Sequence, residues 1–327
     1  MPTTLVLMAP GLLARSDETL AAMRSLGRLA TFARDVTRSR DVASALFASL
    51  GMRADTPVAP AALLGAGGDP GDDYVLCAEP VHLDAGAGHA IDVTVVSDLA
   101  PTDVETVIRM LDRHFVADGL RFEAGRGTTW FARRAQASDV MMTAPSAAHG
   151  ATLAESLPRG GDSARWRRWQ DEIAMLLHDH PVNRMRETAD MPTVNAIWFF
   201  GGGRLRDVSD VPHVVVADAT GFLADVARGL AGLRASATTG GGGSTNARAD
   251  STSRDARFVV DVAQTGAEEA ALSRALAQLE AGEVEAVHVI AGGRRGAIAW
   301  RAAVPGPWRR IVARARPRAF QLPAARD

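Results

Sequence analysis

The sequence predicts an α/β fold, a largely parallel sheet flanked by helices, and three observations support it. Short apolar runs of strand length alternate with segments whose apolar residues recur at helical spacing. Two of those helical segments carry a continuous apolar face. The chain, 327 residues with 47% hydrophobic composition, is also long enough to bury a sizeable core between sheet and helices.

The elements follow in order. Thr3 to Met8 (TTLVLM) reads as a buried opening strand, stopped by Pro10-Gly11. A helix follows from Ser16 with Leu20, Met23 and Leu26 inward. After a loop rich in glycine and proline through Gly71, strands are expected at Tyr74 to Ala78 and Ile91 to Val96, with EPVHLDAGAGH as a loop between them. Thr102 and Glu105 form a capping pattern for a helix whose apolar side is Val104, Val107, Ile108, Leu111 and Phe115. Strand-like RFEA and TTWFA come next. From about Ser163 to His178, Trp166, Trp169, Ile173, Leu176 and Leu177 line one helix face as core anchors. Pro212 to Ala217 is a strand, followed by a helix with Phe222, Leu223, Val226 and Leu230 inward. FVVDV, a helix opened by the Thr265/Glu268 pair, Val284 to Ile290 and Ala297 to Trp300 complete the series. Residues 1–234 thus form the main region. Residues 235–256, rich in glycine, serine and threonine, read as a flexible linker or insertion. Residues 257–327 are expected to complete the same sheet.

Composition limits the chemistry. The net charge is −2, and every one of the 36 basic residues is arginine. Schiff-base chemistry and a Walker-type phosphate loop both need a lysine amine, so neither can be built. Any bound anion must be held by guanidinium forks, backbone N–H groups or neutral donors. The single cysteine, Cys77, lies in an apolar run and reads as a buried, inert thiol. No charged leader precedes a long apolar run and no apolar stretch exceeds strand length, which predicts a cytoplasmic protein with no membrane contact.

The segment from His178 to Gly203 concentrates imidazoles, amides, guanidiniums and glycines. Asn183, Arg184, Arg186, Asn195, Gly201, Gly202, Gly203, Arg204 and Arg206 have the composition of an anion cradle, with His180 and Trp198 beside them. The alternative is that the asparagines tie irregular connections to the backbone while the arginines cover the surface. His178 and His180 flank Asp179 in an H-x-H array, which points two imidazoles at one metal only if the backbone is extended. His82, Asp84, His89 and Asp92 make a second cluster with metal-ligand chemistry, and a solvated turn is the plainer reading. Between Arg294 and Arg318 lie eight arginines, no acidic residue, and Trp300 and Trp308. Such a stripe can contact nucleic acid, although its alternation also suits a closing strand with a solvated basic face.

LLHDHPVNRMRETADMPTVNAIWFFGGG resembles the signature of the bacterial RpfE-type regulatory proteins, and EPVHL at Glu79 to Leu83 resembles a second motif of that family. The HPVN block through NAIW and the glycines is also similar to the archaeal-type cofactor-independent phosphoglycerate mutases of the alkaline-phosphatase-like metalloenzymes. LEAGEVEAVHVIAGG resembles their helix and following strand. The resemblance implies a reduced phosphoglycerate-mutase-like fold. It would bring two divalent metals on aspartates and histidines, and a serine that carries the phosphoryl group.

The chain departs from that pattern where ligands belong. Met8-Ala9-Pro10-Gly11 stands in place of a strand ending in Asp-Gly, Ile290 to Gly296 replaces a ligand cluster with glycine and arginine, and Phe200 replaces a substrate arginine. Two-metal catalysis needs an anionic ligand set, which arginine would oppose. The leading expectation is a catalytically degenerate regulatory protein with no cofactor that binds a phosphorylated or anionic small molecule, with a protein partner also open. One alternative is an active metal-dependent mutase or phosphatase with His82, His89, His178 or His180 as replacement ligands. The other is a nucleic-acid-binding regulator acting through the arginine-rich end.

Overall fold

The computed structural model describes residues 4–86, 90–216, 221–239, 257–261, 268–293 and 296–304. In chain order the elements are β1 (Thr4–Ala9), α1 (Asp17–Ala22), α2 (Arg24–Thr31), β2 (Ala33–Ser39), α3 (Val42–Ser49) and α4 (Val58–Gly65). Then come β3 (Tyr74–Ala85), β4 (Ile91–Val95), α5 (Pro101–Phe115), β5 (Arg121–Ala124), β6 (Trp130–Arg134), α6 (Pro145–Ala148) and α7 (Leu153–Ser156). The remainder are α8 (Ser163–His178), α9 (Pro181–Thr188), β7 (Ala196–Gly203), β8 (Val214–Val216), α10 (Phe222–Thr239), β9 (Arg257–Asp261), α11 (Glu268–Ala281), β10 (Ala286–Gly293) and β11 (Gly296–Ala302). They sort into two compact units, Met1–Thr56 with Ser209–Asp327, and Pro57–Val208. The boundaries fall at 56/57 and 208/209. Residues 235–239 finish α10, and the rest of the expected 235–256 linker lies outside the described residues.

The first unit holds a six-stranded sheet ordered β2-β11-β10-β1-β9-β8. Its centre is parallel, with β1 paired to β10 and β9, and β8 to β9. β11 turns back antiparallel on β10, and β2 antiparallel on β11. Burial of Val6, Leu7 and Met8 on successive positions shows β1 covered on both faces, as a central parallel strand must be. Leu5, Leu7, Val287 and Val289 pack against Leu26 and Leu29 of α2 and Leu272, Ala275 and Leu279 of α11. α3 and α10 pack on the same sheet without joining that cluster and cover its other side.

The second unit is built on the long β3 and is antiparallel throughout its described ladders. β3 pairs with β6 through its first residues, with β4 through its last, and with β7 over most of its length, while β5 adds to β6. Val107, Leu111 and Phe115 of α5 and Trp166, Trp169, Ile173 and Leu177 of α8 bury one face against Leu76, Ala78, Phe122, Trp130, Ile197 and Phe199. Trp166 meets Trp169 edge to face, with ring centroids 4.9 Å apart. α4 lies against β3 and β7.

Several expectations change. The chain is mixed α/β, and "largely parallel" describes only the centre of the first sheet, because hairpin connections such as β3–β4 and β5–β6 give antiparallel ladders. EPVHL is strand, since β3 runs on to Ala85. α5 begins at Pro101 after Ala100, with no side-chain cap, so the Thr102/Glu105 pair does not open it. The predicted helix after Ser16 is two helices broken at Met23, the first capped by the Ser16 hydroxyl accepting from the Thr19 N–H. Thr265 lies outside the described residues.

Candidate functional site

Most polar groups of the His178–Gly203 segment are committed to the backbone around them. The Asn183 amide donates to the carbonyls of Leu177 (2.8 Å) and Val194 (2.7 Å), and its oxygen accepts the Val194 N–H at 2.8 Å. Asn195 does the same for Leu83, accepting its N–H at 2.7 Å and donating to its carbonyl at 2.9 Å. Arg186 is buried; its Nε donates to Pro192 O at 2.6 Å and its Nη2 to Asp98 at 2.7 Å. Arg184 is exposed beside Asp179 at 3.7 Å. Trp198 is buried and donates to Thr143 O at 2.7 Å.

The glycine triplet is set by close packing. Gly201 has φ +66°, and a Cβ there would meet Val58 Cγ1 at 2.1 Å. One on Gly202 would meet the Tyr74 hydroxyl at 2.6 Å, and one on Gly203 would meet Pro57. Arg204 donates to Ala135 O at 2.8 Å and to Asp72 O, while its backbone N–H caps on Asp207. Its Nε stays buried with no partner among the described residues. Arg206 sits in the short turn Leu205–Asp207 that follows.

The histidines do not gather as replacement ligands. His178 is exposed at the end of α8, His180 is the buried N-cap of α9, His82 lies on β3, and His89 is outside the described residues. Among the described residues, no three His, Cys, Asp or Glu side chains are grouped so that they could hold a metal ion. His82 directs Nδ1 to Thr193 O at 2.7 Å and Nε2 to Asp84 at 3.3 Å, and Asp92 meets His149 at 2.8 Å.

What does converge is a groove of about 550 Å³ lined by Thr106, Arg109, Met110, Arg113, His114, Leu176 and His180. The α5 residues fall at helical spacing on one stripe, opposite the apolar stripe that fixes the helix on the sheet. His180 is placed by its capping role, because its Nδ1 accepts the Val182 N–H at 3.3 Å. That bond leaves the neutral ring's proton on Nε2, a donor. Burial lowers the His180 pKa from its ordinary value, and nearby Asp103 opposes the shift. Two other acidic neighbours are paired: Arg109 is 3.8 Å from Glu105, and His114 is 3.1 Å from Glu172. Arg113 makes no hydrogen bond or ion pair among the described residues. The groove therefore offers one uncommitted guanidinium, a second weakly paired, and a neutral N–H donor over an apolar floor of Met110 and Leu176, while the Thr106 hydroxyl is spent on Asp103 O at 2.9 Å. That chemistry suits an anion attached to a small apolar body.

Sequence reasoning missed the α5 stripe, His149 and Glu79. Glu79 is the one acidic residue inside the buried run of β3, a signal that was available. Burial pushes its carboxyl up to about 7, and it makes no hydrogen bond or ion pair among the described residues. Cys77, two residues before it, is buried and its thiol is pushed well up, first by burial and then by the Glu79 charge. As expected, it is an unreactive thiol. Trp300 is buried in the first unit and unavailable for base stacking, while Arg294, Arg295 and residues 305–327 lie outside the described residues. No described helix is long and apolar enough to cross a membrane.

The chain is thus a mixed α/β protein of two units, one with a partly parallel sheet and one antiparallel. No family model matches the sequence, and no curated protein does. Among solved structures it is similar to the PH0037 protein from Pyrococcus horikoshii, at 12% identity and a TM-score of 0.47, over 92% of this chain and 87% of that one. It is also similar to a cofactor-independent phosphoglycerate mutase from Thermoplasma acidophilum, at 13% identity and a TM-score of 0.40, over 93% of this chain and 90% of that one. Both scores are below one half, so the fold rests on the sheet orders and registers above.

Proposed function

We propose that this protein binds a small phosphorylated or carboxylated molecule without turning it over, in the regulatory role that the RpfE-type resemblance implies, and that it works in the cytoplasm. The observation that carries the binding is that Arg113, which has no partner among the described residues, and the Nε2–H of His180 line one groove. A guanidinium fork and a neutral N–H donor are complementary to one oxyanion, and neither has to break an existing bond to serve it.

Degeneracy is supported by what stands at the carboxyl edge of the adjacent strands β1 and β10. In open α/β sheets ligands and catalytic groups collect outside that edge. Here it carries Ala9, Pro10 and Gly11 beside Gly292 and Gly293, and a Cβ at Gly292 would meet Pro10 O at 2.4 Å. Backbone fills space that an acidic ligand set would need.

Calorimetric titration of the full chain with inorganic phosphate and with citrate tests the binding. Weak, saturable affinity that falls with added salt and is lost in Arg113→Gln is the expected result. A flat titration with both anions rejects it. Phosphatase and mutase assays at several added divalent ions test the second half, and turnover abolished by a chelator would overturn it.

A further inference from the structure

On the footing that the groove between α5 and α8 is an anion site, we propose that its ligand is a monocarboxylate with an apolar body, a short-chain or aromatic acid, and that the groove discriminates against phosphate. The charges around the groove carry this furthest. Arg113 has no hydrogen bond or ion pair among the described residues, so it leaves one positive charge over. Arg109 is offset by Glu105 at 3.8 Å, and Glu172 is shared between His114 at 3.1 Å and Arg168 at 3.3 Å. On α9, Arg184 faces Asp179 at 3.7 Å.

Asp103 sets the limit on charge. Its carboxylate makes no hydrogen bond or ion pair among the described residues, and its field reaches the His180 ring that lines the groove. One free cation beside one unmatched acid accepts a single negative charge. A phosphate group carries about −1.5 to −2 at pH 7, so its second charge meets no cation and is repelled by Asp103.

The donors agree with that count. A guanidinium fork spans both oxygens of a carboxylate, and the His180 Nε2–H serves a remaining lone pair. A phosphate brings a third terminal oxygen, but the Thr106 hydroxyl is spent on Asp103 O at 2.9 Å. N–H groups in the middle of α5 are taken by the helix itself. The floor then calls for an apolar body. Met110 and Leu176 pack on the core by one side and are half-buried, which leaves their other side to the groove. From Thr106 to His114 the stripe runs a little over two turns, about 12 Å, along α5. A bare inorganic anion leaves that surface wet, whereas an acyl or aryl group covers it.

The test is calorimetric titration of the full chain with acetate, butyrate and hexanoate, and with hexyl phosphate and inorganic phosphate, at about pH 7.5 where phosphate is mostly dianionic. Each added methylene should tighten binding about twofold, since complete burial of one gives about fourfold and the groove is open on one side. Hexyl phosphate should bind roughly tenfold more weakly than hexanoate, and Asp103→Asn should narrow that gap several-fold. In wild-type chain carrying ¹³C-methyl methionine, hexanoate should shift the Met110 signal, identified by its loss in Met110→Leu. No dependence on chain length, hexyl phosphate binding as tightly as hexanoate, or an unmoved Met110 signal overturns the ligand class. Should inorganic phosphate bind in those same titrations and fail to bind Arg113→Gln, the anion site stands without it. Flat titrations with every anion overturn both.

Discussion

Asn183 grips Val194 by both of its peptide groups, accepting its N–H at 2.8 Å and donating to its carbonyl at 2.7 Å. The side-chain amide thereby acts as one rung of a strand ladder, and a third bond to Leu177 O ties the end of α8 to the same point. Asn195 repeats the arrangement on Leu83. Asn183→Ala leaves three backbone groups without a partner in a buried setting, each worth about 1–3 kcal/mol. The expected loss is about 3 kcal/mol or more by urea denaturation, and Asn183→Asp should do no better because it cannot donate to the two carbonyls. A loss under about 1 kcal/mol would contradict the clasp.

These clasps explain how far the site could be read from the sequence. Asparagine, arginine and glycine in one segment mark either an anion cradle or a backbone staple, and the residue types are the same for both. Only the carbonyl positions of Leu177, Val194 and Leu83 decide between them. The α8 face was legible because Trp166, Trp169, Ile173 and Leu177 must all be buried together. β3 past Ala78 was not, because Pro80 and Glu79 read as a break, although Pro80 pairs with Ile197 inside the ladder. β2 carries arginines at an edge of its sheet and shows no apolar alternation to find. The groove was hidden for another reason: the polar stripe of an amphipathic helix looks the same whether it faces water or a ligand. His149 meets Asp92 only through the fold.

Gly201 should tolerate no side chain. Its φ of +66° strains any L-residue, and a Cβ would sit 2.1 Å from Val58 Cγ1. Gly201→Ala combines backbone strain of about 1 kcal/mol with overpacking of about 1–3 kcal/mol. A thermal midpoint several degrees lower is expected, and Val58→Ala in the same chain should restore part of it by removing the methyl in the way. A fully additive double mutant would show that Val58 is not the obstacle.

His180 makes the protein less stable in acid. Its pKa is lowered by burial, so the unfolded chain takes up the proton first as pH falls. The stability associated with its neutral form is present above about pH 6.5, the ordinary value, and is lost as pH falls through the lower folded value. His180→Asn keeps an N-cap acceptor for Val182 and removes the titration. Denaturation midpoints between pH 7 and 5 should therefore fall less steeply in the variant than in the wild type. Equal slopes would place the acid sensitivity elsewhere.

Glu79 works in the opposite direction over an overlapping range. Its carboxyl is pushed from an ordinary 4.5 up to about 7 by burial, so the folded state holds the proton that the unfolded state gives up. The favourable contribution is complete below about pH 4.5 and disappears as pH rises through 7. The shift corresponds to at most roughly 3 kcal/mol, taken at about 1.4 kcal/mol per unit. Glu79→Gln keeps the shape and cannot ionise, so the variant should match the wild type at pH 4.5 and be more stable at pH 8. The Cys77 thiol beside it supplies an independent readout. With the Glu79 charge removed, one of the two causes raising that thiol's pKa is gone, while burial still keeps it unreactive. Slow alkylation of Cys77 at pH 8 in both proteins, with a stability gain only in the variant, separates the carboxylate's cost from a general loosening of β3. If Glu79→Gln destabilises at every pH, the carboxyl is instead engaged by a partner that its protonated and ionised forms both need.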